Sequence, residues 1–538
     1  MQFRVTTLSV AVAAGIVVAG CGGSNSDETA PPPTTFSVVE TTVADVRAAT
    51  QAGLISSESL VGLYLARILA YSEAGPKLKA FLHVNSNVLA EARALDRMSS
   101  PIGPLHGVPI VLKDNIDAVN MPTTAGSVAL AGSLPTKDAF ITRKLREAGA
   151  VILGKTQLTE FANYMTTGMP AGYSSLGGYG LNPYDPRPLP AGDGRQVLTP
   201  GGSSAGPGIA IAANLTVLSI GTETSGSILS PASAAGIVGI KPTVGLVSRS
   251  GILPLSADQD TAGPMTRTVR DAALLLGVIA GHDPADPATA ACLTAGRCFS
   301  DYTQFLKADA LTGARILVPP FPANRADIME AAITVLQARG ATVVRGTALP
   351  AIGVASIFPY SFKRDLNAYL ATLPAAWPRR TLASIIAFNA ARPEATKYGQ
   401  TLLIAADALS LDPASTDTAT YIADRDAGFA SSRNILNGAL NGPDGVAGNA
   451  DDFDAVLFSG NSGAAIPARA GFPSVLVPGG FVPATDPIVN PFPSGVTFSG
   501  RAFSEPKLIA LAYAFEQATK HRKPPASTPA LAGDTVVR

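Results

Sequence analysis

Between Gly201 and Thr243 the chain reads GGSSAGPGIAIAANLTVLSIGTETSGSILSPASAAGIVGIKPT, and no other stretch restricts the fold as strongly. Its only charged residues are Glu223 and Lys241, so the segment belongs in a protein interior. Glycine and serine concentrate at two turns, Gly201–Ser204 and Thr224–Ser227. The apolar run joining them reads as a buried helix that starts over Pro207–Ala213, and Ile237–Ile240 reads as a buried strand. Upstream, the apolar run Gly107–Leu112 ends in Lys113, followed by Asp114 and Asn115, and predicts a strand over Val108–Leu112.

A lysine closing an apolar strand and two separate Gly-Ser turns are the parts of a serine hydrolase that uses lysine as its base. An ordinary lysine stays protonated up to about pH 10.4 and is useless as a base near neutrality. Burial disfavours the ammonium and can lower that value by several units, after which neutral Lys113 could take a proton from a serine. The tight turn Thr224-Ser225-Gly226-Ser227 can aim successive backbone N–H groups at one oxygen, which is what a developing oxyanion needs. Histidine is scarce: the four are His83, His106, His282 and His521, and none lies in either turn. Taken singly, each part has a plainer reading as a solvated strand end, a helix start or a loop hydroxyl. Together, and in this order, they point to catalysis.

The constellation resembles the amidase signature family, whose Ser-cis-Ser-Lys triad hydrolyses amides. The likeness spans roughly residues 40–520 and is densest over 103–275, from GPLHGVPIVLKDNI through GGSSAGPG to GTETSGSILSPASAAGIVGIKPTVGLVSRSGILPLSADQDTAGPMTRTVRDAA. The resemblance puts the base at Lys113, the bridging serine at Ser203 and the nucleophile at Ser227, 24 residues further on as in that family. It implies an oxyanion hole from the N–H groups of Thr224, Ser225, Gly226 and Ser227, and acyl transfer with no metal or organic cofactor. It also implies a single α/β/α domain around a large mixed sheet. Two positions depart from the common pattern: Leu229 stands where many members have Arg, and Ser225 where many have Gly. The GTET-x-GS-I form and MTTGMPAGYSSLGGYGLNPYDPR at 165–187 look more like the peptide amidase branch, which makes C-terminal peptide amides candidate substrates.

Competing readings are specific. Gly202-Ser203-Ser204-Ala205-Gly206 fits G-x-S-x-G, the nucleophile elbow of α/β-hydrolase esterases, with Ser204 as nucleophile and His282 or His521 as base. That reading leaves Lys113 and residues 221–243 without a role. The glutamine-hydrolysing component of a tRNA amidotransferase shares the triad, and a non-catalytic ligand-binding lipoprotein is the bland alternative. Forty basic residues balance forty acidic ones, so no net field favours nucleic acid.

At the N-terminus, Arg4 and the apolar stretch Leu8–Ala19 precede Val18-Ala19-Gly20-Cys21, which resembles a bacterial lipoprotein cleavage box. The expectation is a signal peptide over 1–20, lipidation of Cys21, and a flexible tether over 21–35. The mature protein would then be lipid-anchored in the cell envelope, facing outside the cytoplasm, with Cys21 its only membrane attachment. The remaining cysteines, Cys292 and Cys298, are most simply a local disulfide in such a compartment, with free thiols or half a metal site as the other readings.

The catalytic domain is expected over 36–522, with a helical, substrate-covering insertion at about 350–440 and a disordered tail over 523–538. Residues 164–200, rich in Gly, Pro, Tyr and Asn, read as a long irregular loop, a feature that is usually functional. The acidic stretch 442–454 lacks the spacing of an EF-hand and reads as a solvated turn.

Overall fold

The computed structural model describes residues 33–190 and 192–538. The expected signal peptide, Cys21 and most of the expected tether lie outside them. An eleven-stranded sheet forms the centre, with neighbours in the order Thr342–Arg345, Arg315–Val318, Ala455–Ser459, Phe492–Ser499, Ser474–Val482, Val238–Lys241, Thr261–Thr266, Leu218–Glu223, Pro109–Lys113, Val151–Thr156 and Phe81–Val84. The sheet mixes parallel and antiparallel pairs, and helices cover its faces, so the expected mixed α/β architecture holds.

Pro109–Lys113 lies parallel to both its neighbours, Val151–Thr156 and Leu218–Glu223, and all five of its residues are buried. This is why the strand reads as an unbroken apolar run rather than an alternating one: both of its faces are covered. The helix after the first turn spans Ala205–Ala212 and is buried throughout. It is shorter than the apolar run suggests, because Leu218–Glu223 is a strand. Thr268 caps the helix Val269–Ile279, its hydroxyl accepting from the Asp271 N–H at 3.1 Å.

Residues 350–440 are helical, with helices Phe358–Thr372, Leu382–Ala390, Thr401–Asp407 and Thr416–Leu440. Phe362, Leu366, Leu370, Ile385 and Leu403 build a second apolar core with Phe161, Tyr164 and Met165, so the insertion packs directly on the start of the long loop. That loop is irregular apart from a small hairpin pairing Tyr173–Ser174 with Gly178–Tyr179.

The expectation of a disordered tail over 523–538 is corrected. Thr535–Val537 forms a strand antiparallel to Thr35–Ser37. Asp534 is buried and ion-paired with fully buried Arg67, which also donates to the carbonyls of Thr528 and Pro529. The pull of a buried guanidinium on oxygen acceptors orders a segment whose Pro-rich composition signals disorder. A disulfide joins Cys292 and Cys298, their Cα atoms 5.1 Å apart. In the stretch 442–454, Asp452 pairs with Arg501 and Asp454 with Lys507, while Asp444 accepts from the Val446 N–H and from Asn449. Among the described residues no helix is long and apolar enough to cross a membrane.

Candidate active site

The strand Pro109–Lys113 delivers the Lys113 side chain into the interior, where it is fully buried. Its Nζ donates to Ser203 Oγ at 2.7 Å, to Thr222 Oγ1 at 2.8 Å and to the Thr222 carbonyl at 3.2 Å. No carboxylate lies within ion-pairing distance among the described residues. Burial therefore dominates and pushes the amine down to about 7, against the weaker opposing pull of Asp260 and Glu223. Asn115, two residues on, donates to Thr222 Oγ1 at 3.1 Å and to the Leu253 carbonyl at 3.1 Å, which holds Thr222 beside the lysine.

Ser203 follows a cis Gly202–Ser203 peptide bond, and its carbonyl accepts from the Thr159 N–H at 3.0 Å. Gly201 has φ +70, and a Cβ there would stand 2.7 Å from the Pro231 backbone, so only glycine fits at the head of the turn. Ser204 is engaged elsewhere. Its hydroxyl donates to the Thr222 carbonyl at 3.0 Å and accepts from the Thr222 N–H at 3.2 Å. The two histidines of the esterase reading lie elsewhere too: His282 bonds Thr289, and His521 lines a separate cavity with Glu40 and Arg267.

The second turn lies beside the first, because the Ser204 N–H donates to the Ser227 carbonyl at 3.1 Å. No hydrogen bond links the Ser203 and Ser227 hydroxyls, and Ser227 Oγ has no protein partner among the described residues. Ser227 opens instead into a cavity of about 320 Å³, together with Gly202, Thr224, Ser225, Gly226 and Ser230. The N–H groups of Thr224, Ser225, Gly226 and Ser227 donate to no protein acceptor among the described residues. Four free donors on one turn, next to a serine hydroxyl, form the kind of environment that stabilises a developing oxyanion.

Buried side chains brace this turn. Asp260 accepts from the Thr224 hydroxyl and from the N–H groups of Leu255 at 2.8 Å and Ser256 at 3.0 Å. Gln259 donates to the Thr224 carbonyl at 3.2 Å. Glu223 accepts from the N–H groups of Ile228 at 2.8 Å and Leu229 at 3.1 Å, so the turn is clamped at both ends. Burial raises Asp260 to about 6.

The cavity's outer walls come from Tyr164, Leu255, Phe358 and Asn461. The loop and the insertion therefore both contribute, as their composition and position suggest. Leu255, Asn461, Gln259 and Asp260 are not singled out by the sequence; Thr222 and Glu223 stand in the GTET motif, where the lone buried charge of Glu223 is the available signal of its bracing role.

Comparison with known proteins follows the same lines. The sequence model of the family described as Amidase matches residues 60–392. A probable amidase of Arabidopsis thaliana is 38% identical over 513 residues, covering 91% of this chain and 92% of that one. The solved structure of native peptide amidase from Stenotrophomonas maltophilia is 41% identical, superposes with a TM-score of 0.78, and covers 91% of this chain and 99% of that one. A glutamyl-tRNA(Gln) amidotransferase component from Synechococcus elongatus is 41% identical over 277 residues, only 50% of this chain and 53% of that one.

Proposed function

From the premise that this chain belongs to the amidase family and is an amide-hydrolysing enzyme, we propose that it cleaves carboxamides through an acyl-enzyme on Ser227, with C-terminal peptide amides as the substrate class. The observation that carries this reading is the 2.7 Å contact between Ser203 Oγ and a buried, carboxylate-free Lys113 held at about 7. A neutral amine in that position accepts the Ser203 proton. Ser203 takes the proton of Ser227 as Ser227 Oγ attacks the amide carbon, and a rotation of the free Ser227 hydroxyl completes the relay. The carbonyl oxygen, now negative, accepts from the N–H groups of the turn. The proton then passes from Lys113 through Ser203 to the leaving nitrogen, the C–N bond breaks, and ammonia departs. Water, deprotonated by the same relay, attacks the ester and releases the acid.

The peptide-amide class is supported by 41% identity to a peptide amidase across 91% of this chain, against 24% identity to an amidotransferase component whose solved structure covers 89% of it. Two measurements on the purified chain test the reading. Hydrolysis, followed as ammonia from primary amides and as arylamine from aryl amides, should be faster for amidated peptides than for aryl and fatty amides. Mass spectrometry after fluorophosphonate treatment should place the adduct on Ser227. An adduct on Ser204, or release from aryl amides alone, would overturn it.

We further propose export, with lipid on Cys21, supported by the Val18–Cys21 box and by a disulfide suited to an oxidising compartment. Processing that is insensitive to globomycin would exclude the lipid, and two alkylatable thiols in the unreduced, denatured protein would exclude the bridge.

A further inference from the structure

A second cavity of about 330 Å³ adjoins the one that holds Ser227, and the two share Ala171, Ser230 and Asn461 as walls. Asn461 touches the catalytic turn itself: its Nδ2 lies 3.3 Å from where a Cβ on Gly226 would stand. A group bound in the second cavity can therefore belong to a molecule whose amide reaches Ser227.

The chemistry of this second cavity is one-sided. Among the described residues its single charged lining residue is Arg325, and no carboxylate lines it. The guanidinium lies over the Phe492 ring, 5.5 Å from its centre, and among the described residues donates only to the Asn324 carbonyl, at 2.9 Å, through Nη1. Arg325 has no ion-pair partner among the described residues, so Nε and Nη2 keep unused donors. Arg325 also occupies the N-cap position of the helix Ala326–Ala338, with no side chain capping the helix. A short 3-10 turn over Ala323–Arg325, its last residue being Arg325, leads into that thirteen-residue helix, and the Ala326 N–H donates to the Ala323 carbonyl. Asp327, in the first turn, does not line the cavity. An arginine without an acid among the described residues fits a planar anion with two oxygens.

We propose that this cavity is a subsite for a carboxylate carried by the amide substrate, with Arg325 as the specificity-determining residue. The proposal rests on the peptide-amide reading and narrows it to acidic peptide amides.

The test uses the full purified chain and a panel of amidated tetrapeptides carrying Glu, Gln or Lys at one position at a time. The wild type should favour Glu over Gln at one position by about ten- to hundredfold in kcat/KM, the range of a charge-assisted hydrogen bond. Added salt should shrink that ratio. Arg325→Gln should bring the Glu/Gln ratio close to one, Arg325→Lys should retain part of it, and Arg325→Glu should turn the preference toward Lys. Cleavage of the panel with no Glu preference at any position would overturn the subsite alone, as would an unchanged ratio in Arg325→Gln. A wild type that cleaves no member would sink the peptide-amide reading and the subsite with it.

Discussion

Lys113 and Lys155 lie on neighbouring parallel strands, and both side chains are fully buried. Lys155 pairs with Asp114 at 3.0 Å, whereas Lys113 faces only hydroxyls and a carbonyl. That difference, not position in the strand, suits one of the two to act as a base. Lys113→Met should remove hydrolysis while leaving a folded protein, since no partner charge is stranded. Because the folded-state value of about 7 lies below the ordinary 10.5, the unfolded chain binds the extra proton between those limits. Wild-type stability at this group therefore rises with pH across that window, and the slope should be smaller in Lys113→Met, which keeps the part due to Lys241, pushed down by burial to about 8. Activity of the wild type should fall as pH drops through about 7, where Lys113 becomes protonated. A wild-type profile flat down to about pH 5, well below that value, or an active Lys113→Met, would refute the assignment. Ser227→Ala should lower kcat/KM by about four to six orders of magnitude. Ser204→Ala should still be labelled by a fluorophosphonate but lose about 1–3 kcal/mol of stability, because the Thr222 N–H loses its partner and the Thr222 carbonyl keeps only its bond from Lys113.

Between elements, the decisive contact is that of the insertion with the loop start. Phe358 begins the first insertion helix and meets Tyr164 edge-on, with ring centres 6.4 Å apart, at the wall of the Ser227 cavity. Phe358→Ala should raise KM for peptides with bulky side chains by about tenfold, the cost of a lost apolar contact of about 1–3 kcal/mol, while changing kcat little. Steady-state kinetics on bulky and small substrates checks this, and an equal fall in kcat for both would place the ring in the chemistry instead. The insertion was readable from sequence because its composition is helical and poorer in glycine than its surroundings. Its docking was not, because Phe362 and Tyr164 are far apart in sequence and neither carries a local signal of the other.

Across the whole molecule, the chain's first and last described strands pair, and Arg67 ties the tail to the body through the carbonyls of Ala213 and Asn214. Asp534→Ala would leave a fully buried guanidinium without its counter-charge and should cost about 3–5 kcal/mol. Denaturant unfolding measures it, and an unchanged midpoint would mean that the tail does not bear on global stability.

The sequence alone determined the α/β class, the lysine strand, both serine turns and the helical insertion, because each is written in local chemistry: apolar runs, Gly-Ser turns and helical spacing. The tertiary structure decided the rest. Thr261–Thr266, with Gly263 and Pro264 at its centre, has no strand signal of its own, yet it is a central strand. A Cβ at Gly263 would collide with the Ile240 carbonyl, so its glycine answers to a neighbouring strand rather than to its own segment. Thr222 meets Lys113 across 109 positions, and Asp260 braces Thr224 across 36. Such contacts depend on which strands become neighbours, and strand order follows from burying every apolar face at once, a property of the whole chain that no single segment contains.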